Sequence, residues 1–424
     1  MAVTVVPEVP LGTVFVPGGN PTITYNPRER LHLEQQVRDY LDERHRILSV
    51  SGPTKIGKSV LLRNIVKDAI WLHGGNIDSL DAFWDQIIDD LDLYTDLTVN
   101  SLSQASASRG GKVNINAGLI QAEVNGTRGQ SATDGTSLHR NRPKASVVLK
   151  ALDTLKPTLV IDDFHYIDTG IQLQIVRALK NLVFEGMAVI VAAVPHRAYD
   201  AIRVESEMTG RVQPVKVAGW SSDELFEIAA NGFKALGLKD TDGISHKLAE
   251  ESFSSPHPMQ EFCLALCKQN DVRKTVAIPR RLDEPDWDVF FSSRASASSR
   301  TAFDQLVRGP RQRSDRKPRS LKDGQQVDIY GAVLAAVAAS GPRTELTYEE
   351  LRSALKDVML SEAPQRHETV RVLDEMAKIA REKIQGEPVV DYDAELSTLF
   401  ISDPFFAYFL RWGQPTANLP SPLG

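Results

Sequence analysis

Three runs along the chain are apolar on both faces: Ile47-Leu48-Ser49-Val50, Thr158-Leu159-Val160-Ile161 and Met187-Ala188-Val189-Ile190-Val191-Ala192-Ala193-Val194. Short dense runs of this kind read as strands buried in a parallel sheet, where neither face meets water. Between them the pattern changes to a helical period. Leu31, Val37 and Leu41 fall on one face of a helix after Tyr25-Asn26-Pro27-Arg28-Glu29. Val60 to Val66 reads as another. From Ser79, a candidate N-cap, Trp84, Ile87, Ile88 and Leu91 make one apolar side. Ile171 to Val183 follows the second strand. Alternating strands and helices predict an α/β domain, a parallel sheet with helices on both faces.

After Trp220 the strand signal stops. Ser221 or Ser222 caps a helix over 223–236, and Ile244 to Lys268 is helical with a break at Ser254-Ser255-Pro256-His257-Pro258. A small helical lid is the expectation. The last part orders itself as helix (Asp328 to Ala339), short strand (Thr344 to Thr347), two helices (Tyr348 to Met359, Gln365 to Lys383) and a hairpin (Pro388 to Tyr392, Ser397 to Ser402). That is the layout of a winged helix. An aromatic helix, Asp403 to Trp412, is expected to pack on the wing. The predicted division is an extended N-terminal arm over 1–24, a nucleotide domain over 25–218 with an insertion at 98–144, a lid over 219–275, a basic linker over 276–327, a winged helix over 328–413 and a tail over 414–424.

The first strand ends in chemistry. Gly52-Pro53-Thr54-Lys55-Ile56-Gly57-Lys58-Ser59, running into a helix at Val60, fits G-x-x-x-x-G-K-[ST], the P-loop. The two glycines allow a tight turn, and the loop N–H groups with the helix N-terminus favour a polyanion. Lys58 reaches for β- and γ-phosphates, and the Ser59 hydroxyl suits Mg²⁺. The second strand ends in Asp162-Asp163. At the carboxyl end of a parallel strand, Asp162 is placed to hold that Mg²⁺ and Asp163 to polarise an attacking water. The third strand ends in Pro195-His196-Arg197, so Arg197 is either beside the phosphates or a surface charge. Arg211 is either an arginine finger for a neighbouring subunit or a structural charge. Arg28 is either a solvated charge near a helix start or a contact to the nucleotide.

Composition narrows the class. The 424 residues, 42% hydrophobic and 25% charged, suit two or three ordinary globular domains. A net charge of −6 argues against a chain that is basic throughout. One segment is locally basic: Arg308, Arg311, Arg313, Arg316, Lys317, Arg319 and Lys322 against Asp315. It reads as a linker or as a nucleic-acid contact. The third winged-helix helix mixes Arg366, His367, Arg371, Lys378, Arg381 and Lys383 with Glu368, Asp374, Glu375 and Glu382, which leaves DNA reading and protein contact both open. Cys263 and Cys267, four apart, read as buried free thiols, consistent with a reducing cytoplasm. No signal peptide and no membrane-length apolar run is seen. Residues 98–144, rich in Ser, Gly and Asn, carry a candidate hairpin turning near Ala117-Gly118. The insertion is either a surface loop or a contact element for a partner or neighbouring subunit.

These features together resemble P-loop ATPases of the STAND class and the nearby AAA+/Orc-like group. Ile161-Asp162-Asp163-Phe164-His165-Tyr166-Ile167 is similar to the Asp-Asp-aromatic-His form of STAND regulators of the maltose-activator type. Tyr25-Asn26-Pro27-Arg28-Glu29 is similar to the motif that precedes their nucleotide domain. The resemblance implies Arg28 near the base, Arg197 as a sensor after the fourth strand and Pro258 as a lid proline over adenine. Asp403-Pro404-Phe405-Phe406 resembles the same place in archaeal-type ATPases with a C-terminal winged helix. It implies an ATP- and Mg²⁺-dependent switch cycling between ATP and ADP, a homo-oligomer, and a setting such as bacterial regulation or antiviral defence. The chain departs from the pattern in several ways. Asp163 stands where AAA+ motors carry Glu, implying slow turnover. The lid has no sensor-two arginine and the winged helix no Met-His-Asp motif. There is no repeat array or effector domain, so an effector would be a separate protein. A DNA-binding ATPase of the initiator or loader type, gripping DNA through the winged helix and Arg308–Lys322, is the alternative. A nucleotide-binding scaffold without turnover is a third.

Overall fold

The computed structural model describes residues 8–93, 96–100, 137–141, 143–194, 210–240, 242–295, 297–310, 317–341, 343–384 and 388–413. The candidate hairpin at 112–126 and Arg197 lie outside them. In chain order the elements are α1 (Leu11–Val14), α2 (Leu33–Glu43), β1 (Ile47–Ser51), α3 (Lys58–Ile65), β2 (Ala69–His73), α4 (Leu80–Asp90), β3 (Asp96–Asn100), β4 (Ser137–Asn141), α5 (Lys144–Leu155), β5 (Thr158–Asp162), α6 (Thr169–Phe184), β6 (Val189–Ala193) and β7 (Val212–Lys216). There follow α7 (Ser222–Ala235), β8 (Leu238–Lys239), α8 (Ile244–Glu250), α9 (Pro256–Gln269), β9 (Arg280–Arg281), α10 (Trp287–Ser292) and α11 (Ala297–Arg308). The last are β10 (Arg319–Ser320), β11 (Gln326–Val327), α12 (Ile329–Ala339), β12 (Glu345–Thr347), α13 (Tyr348–Val358), α14 (Arg366–Glu382), β13 (Val390–Asp393), β14 (Thr398–Ile401) and α15 (Pro404–Trp412).

The chain forms two compact units. One comprises 35–51 and 63–215 and holds the five-stranded sheet, in the order β2-β5-β6-β1-β7. The pairs β1–β6 and β5–β6 are parallel, as the apolar runs predict, and β2, a half-buried strand that no apolar run announced, pairs parallel to β5. Every residue of β1 and β6 is buried. Ile47, Leu72, Leu159, Ile161 and Val191 face a core shared with Phe83, Trp84 and Ile87 of α4 and Ile175, Leu179 and Val183 of α6. Ser79 caps α4 by accepting the Ala82 N–H. Tyr40 of α2 anchors the sheet. Its hydroxyl donates to Val189 O at 2.7 Å and accepts the Val189 N–H at 2.8 Å, and burial pushes its pKa up to about 12. The buried stripe of α2 is Leu33, Val37 and Tyr40, while Leu31 sits in a preceding 3₁₀ turn. The ends of the 98–144 insertion are tied by an antiparallel ladder, Asp96↔Asn141 to Asn100↔Ser137.

The other unit comprises 1–34, 52–62 and 216–424. The N-terminal arm is packed rather than merely extended. Phe15 is buried against Phe233 of α7, ring centroids 5.5 Å apart, and a Cβ on Gly232 would stand 2.2 Å from the Phe15 ring. Ser221 forms a full capping box with Glu224 at the start of α7. The lid helices break where expected, between α8 and α9, with Phe253 and Ser254 at positive φ. Cys263 and Cys267 are buried and free, and burial raises both thiols, Cys267 to about 12.

The winged-helix order is as predicted, α12, β12, α13, α14, β13, β14, with the sheet ordered β12-β14-β13. The stretch read as a basic linker carries α10, α11 and the β10–β11 ribbon, and α11 packs on α12, α14 and α15. The aromatic helix α15 meets α11 and α12 as well as β14, the strand of the wing. Among the described residues no helix is long and apolar enough to cross a membrane, and no cluster of His, Cys, Asp and Glu suits a metal on its own.

Candidate nucleotide site

β1 runs straight into the glycine-bounded loop. Gly52 is required by close approach: a Cβ there would lie 2.5 Å from Val217 O. Gly57 is required by conformation, at φ +100°. Lys55 also adopts positive φ, 56°. The helix α3 begins at Lys58, so the loop delivers its N–H groups at a helix N-terminus. Lys58 is buried, its ammonium folded onto Gly52 O and Pro53 O, both at 2.8 Å.

Residues remote in sequence hold this loop. The Trp220 indole donates to Ile56 O at 2.9 Å, and the Ser255 hydroxyl to Lys55 O at 3.0 Å. Thr54 Oγ1 donates to Ser402 O at 2.8 Å, and Lys55 Nζ to Asp403 Oδ1 at 2.8 Å, with the same ammonium over the Phe405 ring. His257 lies edge-on to Phe405. Its pKa is lowered by burial and by the Lys55 charge, against the opposing pull of Asp403. Nothing in the spacing of these residues announces the loop as their partner. The only signals are the Ser-Ser-Pro break and the Asp-Pro helix start. Pro258 is buried in the first turn of α9, beside His257.

Arg28 is committed elsewhere. It sits at φ 54°, buried, with Nη1 on Ala218 O and Nη2 on Gly219 O and Glu224 Oε2, its guanidinium over Trp220. Burial drives the Glu224 carboxyl up, but hydrogen bonds from Arg28 and Ser221 with the Arg28 charge outweigh it, and its pKa ends below the ordinary glutamate value. These contacts describe a rivet from the arm to α7.

In the sheet unit, β1, β5 and β6 are parallel, so Ser51, Asp162 and Ala193 end at one edge. Asp162 is buried at that edge, and its Oδ1 accepts the Asp163 N–H at 3.1 Å. Asp163 turns the chain at φ 54° into a 3₁₀ turn, Phe164–Tyr166. Arg211 lies at the opposite edge. Its carbonyl accepts the N–H of Ile47, the first residue of β1, and its guanidinium lies over the exposed Phe184 ring.

No family model matches this chain, and no curated protein matches it. Solved structures do. A Walker-type ATPase of Pyrococcus abyssi is similar at 13% identity over 92% of this chain and 99% of its own, TM-score 0.51. The Aeropyrum pernix ORC2 protein, solved in ADPNP and ADP complexes, aligns at 13% identity over 95% of this chain and 97% of its own, TM-score 0.46. A STAND protein of Pyrococcus horikoshii with a tetratricopeptide repeat sensor aligns at 11% identity over 89% of this chain and 42% of its own, TM-score 0.35. At these identities the likeness is one of fold, and it rests on the first: a parallel sheet flanked by helices, followed by helical and winged-helix elements.

Proposed function

We propose that this chain is a nucleotide switch. It binds ATP with Mg²⁺ at Gly52 to Val60, hydrolyses it slowly, and uses nucleotide state to control assembly with itself or a separate effector. The observation that carries this reading is the grip of Ser402 and Asp403 on Thr54 and Lys55. The loop that meets phosphate is the loop the winged-helix unit holds, so a change at one is felt at the other.

The donor chemistry suits the group. The loop supplies main-chain N–H donors and one buried ammonium, and the Ser59 hydroxyl and the Asp162 carboxylate are each hard oxygen donors of the kind Mg²⁺ takes. Bound Mg²⁺ would neutralise phosphate charge and orient the phosphate chain. Lys58 Nζ exchanges Gly52 O and Pro53 O for phosphate oxygens. The Asp163 carboxylate orients a water and takes its proton. Arg197 remains a candidate γ-phosphate sensor.

The DNA-binding reading loses some of its charge. Arg319 is paired to Glu368, and Arg366 lies over Tyr348 with Nη2 on Ser397 Oγ. The wing tip offers Glu395 and an exposed Leu396. Protein contact is the better use of this domain. Binding of Mg·ATP and its single-turnover hydrolysis, with oligomer mass measured with and without ATP, test the proposal. Folded wild type that does not bind Mg·ATP overturns it. Retained, unhydrolysed ATP would point to the scaffold reading.

A further inference from the structure

The turn after β5 is gripped from two sides by residues outside the P-loop and acid motifs. On one side stands Gln172, in the first turn of α6. Asp168 caps that helix through the Gly170 N–H at 2.8 Å, and Asp168 O accepts the Gln172 N–H at 2.9 Å, which sets where the glutamine starts. Its Nε2 donates to Phe164 O at 2.8 Å and to Ile167 O at 3.0 Å. Both amide hydrogens therefore go to the turn that begins at Asp163. Gln172 is 3% exposed, and its Oε1 has no hydrogen-bond partner. Burying an acceptor unpaired is costly. A leucine would fill much of the same space without it, so the two donors explain the residue type.

On the other side stands Gly74, which follows β2. The register pairs His73 with Asp162, bringing Gly74 against the turn. A Cβ on Gly74 would lie 2.2 Å from Asp163 O and 2.8 Å from its carbonyl carbon, distances no side chain tolerates. Asp163 itself turns the chain in a left-handed conformation, one that aspartate adopts more readily than most residues with a Cβ. The Tyr166 N–H on Asp163 O, at 3.0 Å, completes the turn.

We infer that Gln172 is a positioning residue for Asp163, with Gly74 as the steric counterpart that lets the turn seat. The inference rests on the reading of Asp163 as the water-activating carboxylate. Without the amide donors the turn relaxes and the Asp163 carboxylate leaves the position its chemistry needs, while the phosphate loop is untouched.

The test is a double-mutant cycle in the full chain: wild type, Gln172→Leu, Asp163→Asn and the pair, each followed by Mg·ATP binding, single-turnover hydrolysis and thermal unfolding. Gln172→Leu is expected to lower the hydrolysis rate about 10- to 100-fold with Mg·ATP affinity unchanged, and to add nothing in the Asp163→Asn background. A rate equal to wild type, or the same loss repeated on top of Asp163→Asn, overturns the inference. Wild-type hydrolysis by Asp163→Asn overturns the reading of Asp163 and the inference with it. Should Gln172→Leu not fold, Gln172→Glu takes its place. Its protonated carboxyl keeps one donor and its ionised form keeps none, so its rate relative to wild type falls as pH rises. A ratio that does not change with pH overturns the inference.

Discussion

Two turns carry the proposed chemistry, and they are held by different parts of the chain. The acid turn after β5 is fixed by the strand it ends and the elements beside it: Asp162, Gln172 and Gly74. The phosphate loop after β1 is fixed by residues 164 to 348 positions away, Trp220, Ser255, Ser402 and Asp403. A loop held by the lid and winged helix shares its state with them. The difference fits a division of labour in which the acid turn hydrolyses and the phosphate loop reports.

The comparison can be broken in graded steps. Glu251 is 2% exposed and accepts from Arg411 Nε and Nη2 and from Trp412 Nε1, all at 2.8 Å. Glu251→Ala removes one partner of this cluster and is expected to destabilise the winged-helix unit by about 3 kcal/mol in denaturant unfolding. Spectroscopic probes on α6 should register a later transition. Lys58→Ala is expected to weaken Mg·ATP binding about 100-fold in calorimetry, through loss of charge-assisted hydrogen bonds, with the fold intact.

Asp403 does two jobs, pairing with Lys55 and capping α15 through the Phe405 N–H at 2.8 Å. Asp403→Ala should cost about 1 kcal/mol as a lost cap. Asp403→Asn should keep the cap yet uncouple the loop, and the two together isolate the ion pair. The smallest effect is a slope with pH. The folded pKa of His257 lies below 6.5, so as pH falls through 6.5 the unfolded chain takes the proton first and stability declines. His257→Gln is expected to show a shallower decline in melting temperature over that interval.

What the sequence made legible was local. β1, β5 and β6 announce themselves because both faces are apolar, and Gly52 to Ser59 because the motif is contiguous. The Ser79 and Ser221 caps and the winged-helix order are read from neighbours in the chain. What stayed hidden depends on pairing between remote segments. Nothing near Arg28 shows that Ala218 O, Gly219 O and Glu224 take its guanidinium. Nothing near Arg211 shows that its carbonyl takes the N–H of Ile47. Nothing in the helix read over Ile171 to Val183 marks Gln172, because its partners are carbonyls and carbonyls have no sequence signature. The arm over 1–24 reads as extended because its prolines and glycines mask the burial of Phe15.

Amide hydrogen exchange across Ser402–Phe406, with and without Mg·ATP, tests the coupling most directly. In wild type the account predicts that Mg·ATP changes exchange there as well as at Gly52–Val60, and that Lys58→Ala abolishes both changes. Mg·ATP that protects Gly52–Val60 while leaving Ser402–Phe406 unaltered would contradict it.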